Sequence, residues 1–187
     1  MKFYTGIGSR NAPLKTLRLM KKLAFLLEKH NYILRSGGSI GSDLAFESGV
    51  KDKNNQNIFL PYKRFNKSKS NLYLDENLNL SISSLEYSNF IFKETERVWK
   101  KRFNQNFSKL PNYLKSYMLR NSYQVFGLKN ELNSEFLIYW SNIDCLIDSK
   151  KSGTCQTVIT GFNNNVPIIN LALKNWKSEL RIVLKKQ

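Results

Sequence analysis

The amino-acid sequence predicts an α/β fold: a mostly parallel sheet flanked by helices, with a helical basic insertion before the fourth strand. Three observations carry this. Short β-type segments alternate with segments of helical periodicity, the pattern of βαβ units. The segment "VPIINL" is apolar without alternation, as in a strand covered on both faces. Three strand ends, "TGIGSR", "RSGGSIGSD" and "SKKSGTCQ", run into turns of small residues, and open sheets of this kind bind ligands at the carboxyl ends of their strands.

In chain order, residues 3–8, "FYTGIG", read as a strand entering a glycine turn. From Leu14 to Lys29, Leu14, Leu17, Met20, Leu23, Ala24 and Leu27 recur at helical spacing, and Pro13 fits a helix start. Residues 32–35, "YILR", form a second strand; Ser42–Gly49 reads as a helix stopped by Gly49. Residues 57–62, "NIFLPY", and 136–140, "FLIYW", are the third and fourth strands. A helix opens at Gly153, residues 166–171 are the fifth strand, and "KNWKSELRIVLKKQ" is a final helix.

The segment from about Lys63 to Glu135 interrupts the alternation. Between Tyr62 and Asn130 it holds thirteen Lys or Arg against five acids, and "FKETERVWKKRF" and "PNYLKSYMLRNSYQVFG" read as helices. It is taken as an insertion packed on the sheet, within a single domain spanning residues 1–187.

The formal charge of +16 fits an anionic partner such as a nucleotide, nucleic acid or acidic protein. Most of the 30 basic residues are Lys, and Asn is abundant, which AT-rich coding produces whatever the function. Cys145 and Cys155 are too few for a disulfide framework and lack paired metal-ligand spacing. Neither a metal nor a cofactor is expected. The lone His30 ends an amphipathic segment, so histidine catalysis is not expected. No apolar run approaches the roughly 20 residues of a membrane span, and the first residues lack a signal-peptide pattern. A soluble, cytoplasmic protein with no membrane partner is expected.

The turns carry the chemistry. A phosphate requires backbone amides aimed at it and no side chain in the way, which glycine and a helix N-terminus supply together. Gly37, Gly38 and Gly41 precede the helix at Ser42, with Ser36, Ser39 and Ser42 as hydroxyl donors. Gly6, Gly8 and Ser9 form the first turn, and Gly153, Thr154 and Gln156 the last. Arg10, Arg35 and Arg120 are candidates for bidentate phosphate pairing. Asp43 and Glu47 lie four apart on one helix face, as candidates for ribose binding or acid–base work; Asp43 near a helix start also suits the dipole alone. Tyr4, Phe46, Tyr123 and Trp140 are aromatic candidates for a base, although each also suits a core. The spacing is neither a dinucleotide fingerprint nor a Walker P-loop.

The blocks "YTGIGSR", "LRSGGSIGSDLAFESG", "IFLPYKRF", "RNSYQVFG" and "GT.Q.VI…N.VPIINL" together resemble the SLOG superfamily, most closely DprA-like (YspA/YpsA-related) proteins often encoded by bacteriophages. The resemblance spans roughly residues 3–65 and 118–171. It implies a Rossmann-like sheet with a nucleotide-related ligand at its carboxyl edge. It implies a phosphate-loop role for Ser36, Gly37, Gly38, Gly41 and Ser42, and places Arg10 in the first block, Arg120 and Asn121 in the fourth, and Gly153 and Thr154 in the last turn. It also implies a homo-oligomer, in the host cytoplasm if the source is viral. Relatives bind nucleotide-derived signals, cleave the N-glycosidic bond of nucleoside monophosphates, or bind single-stranded DNA. The cleaving pattern P-G-G-x-G-T-x-x-E is not reproduced: Ser36 stands for the proline, and Glu47 lies later than that glutamate. The expected function is therefore binding of a nucleotide or nucleotide-derived signal, for sensing or sequestration. The alternatives are N-glycosidic hydrolysis through Asp43 or Glu47, and single-stranded nucleic-acid binding through the basic, aromatic insertion.

Overall fold

A computed structural model describes residues 1–129, 131–148 and 152–185. Five strands form one all-parallel sheet: β1 (Lys2–Gly8), β2 (Tyr32–Ser36), β3 (Gln56–Ile58), β4 (Phe136–Trp140) and β5 (Ile168–Asn170), in the order β3-β2-β1-β4-β5. The order reverses between β1 and β4, which pair from Tyr4↔Phe136 to Gly8↔Trp140. Parallel neighbours require crossovers, and the helices supply them.

α1 (Leu14–Lys29) follows Pro13 and buries Met20, Leu23, Ala24 and Leu27 of the predicted stripe, with Leu17 packed at its edge; Leu14, in the first turn, is exposed instead. Each of the larger three contributes about 1.5–3 kcal/mol by leaving water. Together with α2 (Ser42–Glu47) and α6 (Trp176–Lys185) it covers the sheet face that carries Tyr4, Leu34 and Ile138. The opposite face, carrying Ile7, Leu137 and Tyr139, packs against α5 (Gly153–Asn163) and Val125.

The insertion forms two long helices, α3 (Leu85–Phe103) and α4 (Asn112–Phe126). They bury an aromatic cluster of Phe59, Trp99, Phe107, Tyr123 and Phe126. α4 then runs over the sheet, where Thr5 Oγ1 donates to the Gln124 carbonyl at 2.6 Å. No helix of the described residues is long and apolar enough to cross a membrane.

Some boundaries differ from the expectation. The third strand ends at Ile58 because Leu60 leaves the sheet to donate to the Leu72 carbonyl at 2.7 Å. α2 ends at Glu47, two residues short, where Gly49 packs against the Lys21 main chain of α1. The fifth strand narrows to Ile168–Asn170. The two cysteines are bonded to each other: Cys145, after β4, and Cys155, in the first turn of α5, have Cα atoms 4.7 Å apart. Two cysteines make no framework, but the chain after β4 folds back onto α5 and brings them together.

Candidate ligand-binding site

A cavity of about 680 Å³ opens at the reversal point between β1 and β4. Its walls come from four distant segments. The end of β1 gives Gly8, Ser9, Arg10 and Asn11; the turn into α2 gives Ser39 and Asp43. α4 gives Tyr113, Tyr117, Arg120, Asn121 and Gln124 from one face, because residues three and four apart in a helix stack on the same side. The chain after β4 and the start of α5 give Ser141, Asn142, Ser152, Gly153 and Thr154.

At the base of the cavity, Arg120 Nη1 pairs with Asp43 Oδ2 at 3.3 Å and Nη2 donates to Ser39 Oγ at 3.3 Å. Both residues are buried. Burial opposes both charges: it pushes the Asp43 carboxyl up and the Arg120 guanidinium down, and each partner offsets the other's shift. With its amide oriented to satisfy its neighbours, Gln124 Oε1 accepts from Arg120 Nη1 at 3.1 Å and from the Gly37 amide at 2.9 Å. Gly37 is required there, since a Cβ would overlap the Arg120 guanidinium and the Gln124 amide.

The glycine turn itself differs from the expectation. The Gly38 amide donates to Glu47 Oε1 at 2.8 Å, and the Ser39 amide donates to Asp43 Oδ2 at 3.3 Å. With Gly37 held by Gln124, three successive amides of the turn are taken by the protein's own side chains. Gly41, at φ +94°, lies so close to the Arg10 main chain that any side chain would collide with it. Ser42 Oγ donates to the Ser9 carbonyl at 2.8 Å and Ser36 Oγ to the Gly6 carbonyl at 2.9 Å. Ser36, Gly37, Gly38, Gly41 and Ser42 therefore build the turn that supports the cavity and do not line it.

The remaining candidates lie elsewhere. Arg35 is fully buried on the face toward α4, where it pairs with Glu131 at 2.8 Å, donates to the Val125 carbonyl and lies 3.9 Å over the Phe3 ring. It is an internal cation, not a cavity cation. Glu47 also stays out of the cavity: its carboxylate holds Gly38, and burial together with nearby Asp43 pushes its pKa from 4.5 up to about 7. Trp140 packs against the core on the α1 side and Gly6 against Phe46 and Leu34. Tyr4, Phe46 and Tyr123 are core residues.

Gly8, Ser9, Arg10, Ser39, Asp43, Arg120, Asn121, Gly153 and Thr154 do meet at the cavity. In α5, Ser152 Oγ accepts from the Cys155 amide at 3.1 Å, and Asn121 Nδ2 donates to the Gly153 carbonyl at 3.2 Å. By helix geometry the amides of Gly153 and Thr154 have no acceptor within α5. Residues 149–151 of the turn "SKKSGTCQ" lie outside the described residues. Arg10 is exposed and makes no ion pair among the described residues.

Tyr113 and Tyr117 also line the cavity, although their spacing with Leu114 and Met118 suits a packed helix equally well. Tyr113 is 64% exposed, and Tyr117 packs edge-on against Phe65. The signal available was the shared four-residue step through Tyr113, Tyr117 and Asn121. The chain matches no protein-family model, no curated protein and no solved structure with which it was compared.

Proposed function

We propose that this cavity binds a phosphorylated, nucleotide-type small molecule, which the protein senses or sequesters. One observation carries the reading. At the reversal point of a parallel sheet, the first turn of α5, exposed Arg10 and the rings of Tyr113 and Tyr117 face one cavity. The first turn of a helix attracts an anion through its amides and dipole, exposed Arg10 adds a positive charge, and the tyrosines offer faces for a base. A cavity of this volume suits a nucleotide-sized ligand. The resemblance to SLOG proteins supports the same reading, with the anion seat moved from the glycine turn to α5.

N-glycosidic hydrolysis is the second reading, and Asp43 favours it as the one carboxylate among the described cavity-lining residues. Its engagement with Arg120 and the Ser39 amide weighs toward a positioning role and hence toward binding.

Purified protein is incubated with nucleoside mono-, di- and triphosphates, cyclic nucleotides and ADP-ribose-type compounds, then filtered, and both fractions are identified by mass spectrometry. Retention of an intact species supports the binding reading. Release of free base and sugar phosphate supports hydrolysis, and its loss in Asp43→Asn assigns the carboxylate. If nothing is retained or changed while a single-stranded oligonucleotide binds with steep salt dependence, the charge of +16 serves nucleic acid instead.

A further inference from the structure

We propose that the Cys145–Cys155 disulfide is a redox latch on the cavity wall. Cys145 follows the wall residues Ser141 and Asn142, and Cys155 follows the wall residues Ser152, Gly153 and Thr154. The bond therefore ties together two segments that face the same cavity. Both sulfur-bearing side chains are fully buried, among Ile7, Val125, Tyr139 and Val158. The Arg102 guanidinium donates to the Cys145 carbonyl at 3.4 Å and to the Asp148 carbonyl at 2.5 Å. Arg102 keeps the loop attached when the bond is cut, so reduction loosens the wall without releasing it.

The chemistry is thiol–disulfide exchange with a dithiol. One thiolate of the reductant attacks a cysteine sulfur, the S–S bond breaks, and the other cysteine leaves as a thiolate and takes a proton. The second thiol of the reductant then displaces the first cysteine. Two cysteine thiols form and the reductant ends as a disulfide. Because both sulfurs are buried, attack waits for local opening of the loop. A ten-residue separation means that the bond removes substantial freedom from the segment between the two wall pieces. Cutting it lowers the fraction of molecules with an ordered wall, and ligand affinity falls by that fraction. The ligand half of this proposal rests on the nucleotide reading; the wall half does not.

The test uses the full chain, oxidised and after prolonged incubation with dithiothreitol, with circular dichroism to show that the fold is kept. Amide hydrogen exchange over residues 141–157 and calorimetric binding of ADP are read on both. Reduction should speed exchange in that segment and weaken ADP binding by roughly tenfold or more. Double substitution Cys145→Ala with Cys155→Ala should match the reduced protein and ignore dithiothreitol. Unchanged exchange on reduction overturns the latch. Equal ADP affinity in both states also overturns it as a control of binding, with the nucleotide reading intact. Faster exchange with no ADP binding in either state supports the latch on the wall and counts against ADP as the ligand, and absence of binding across the whole nucleotide panel counts against the nucleotide reading.

Discussion

Glu47 offers a direct test of how the glycine turn is held. Its carboxylate accepts the Gly38 amide at 2.8 Å, yet burial and Asp43 raise its pKa from 4.5 to about 7. A carboxyl with a higher pKa folded than unfolded stabilises the fold when protonated. That stability is present below pH 4.5 and is lost as the pH rises through about 7. At 1.36 kcal/mol per unit the full shift corresponds to about 3 kcal/mol; partial exposure of Glu47 reduces this to about 2 kcal/mol. Glu47→Gln keeps an oxygen for the Gly38 amide and removes the titration. Urea unfolding of both proteins from pH 4.5 to 8 is the assay. The variant should match the parent near pH 4.5 and exceed it by about 2 kcal/mol at pH 8. A stability difference that stays flat with pH, or a variant weaker than the parent at pH 8, would refute the reasoning.

Other expectations follow from the same contacts. Arg120→Met should cost about 3–5 kcal/mol at pH 7 by leaving Asp43 buried and unpaired, and Asp43→Asn in the same chain should recover part of it, both read by urea denaturation. Glu131→Ala strands Arg35 in the same way and should cost a similar amount, while leaving nucleotide affinity unchanged because Arg35 lies outside the cavity. Tyr113→Ala, at a position 64% exposed, should change stability by less than about 0.5 kcal/mol and weaken nucleotide binding by roughly tenfold as measured by calorimetry. Arg10→Ala should weaken binding of the same nucleotide and flatten its salt dependence.

The parts of the fold legible in sequence were those with local causes. The spacing in α1 reports a buried stripe, and the unbroken apolar run near β5 reports a strand covered on both sides. What escaped depended on partners far along the chain. The burial of Arg35 was readable from "YIL" beside it, but its partner Glu131 lies ninety-six residues away, and nothing local distinguishes an internal ion pair from a ligand contact. The glycines of "SGGSIGS" marked a turn whose amides need acceptors; that Asp43, Glu47 and Gln124 fill this need is a tertiary fact. A helix face of Tyr113 and Tyr117 looks the same in sequence whether it meets a core or a cavity. The cysteine pair depends on a loop return that no spacing rule describes.

The internal acceptors of the glycine turn bear on kinetics. A loop that waits for a phosphate to order it makes binding a two-step event, with the folding of the loop limiting the rate. Here Asp43, Glu47 and Gln124 already hold the turn, so this side of the cavity is ordered without any ligand. Association should then be a single exponential whose rate rises linearly with ligand concentration, without the plateau that marks a conformational step, and little ordering entropy should oppose it.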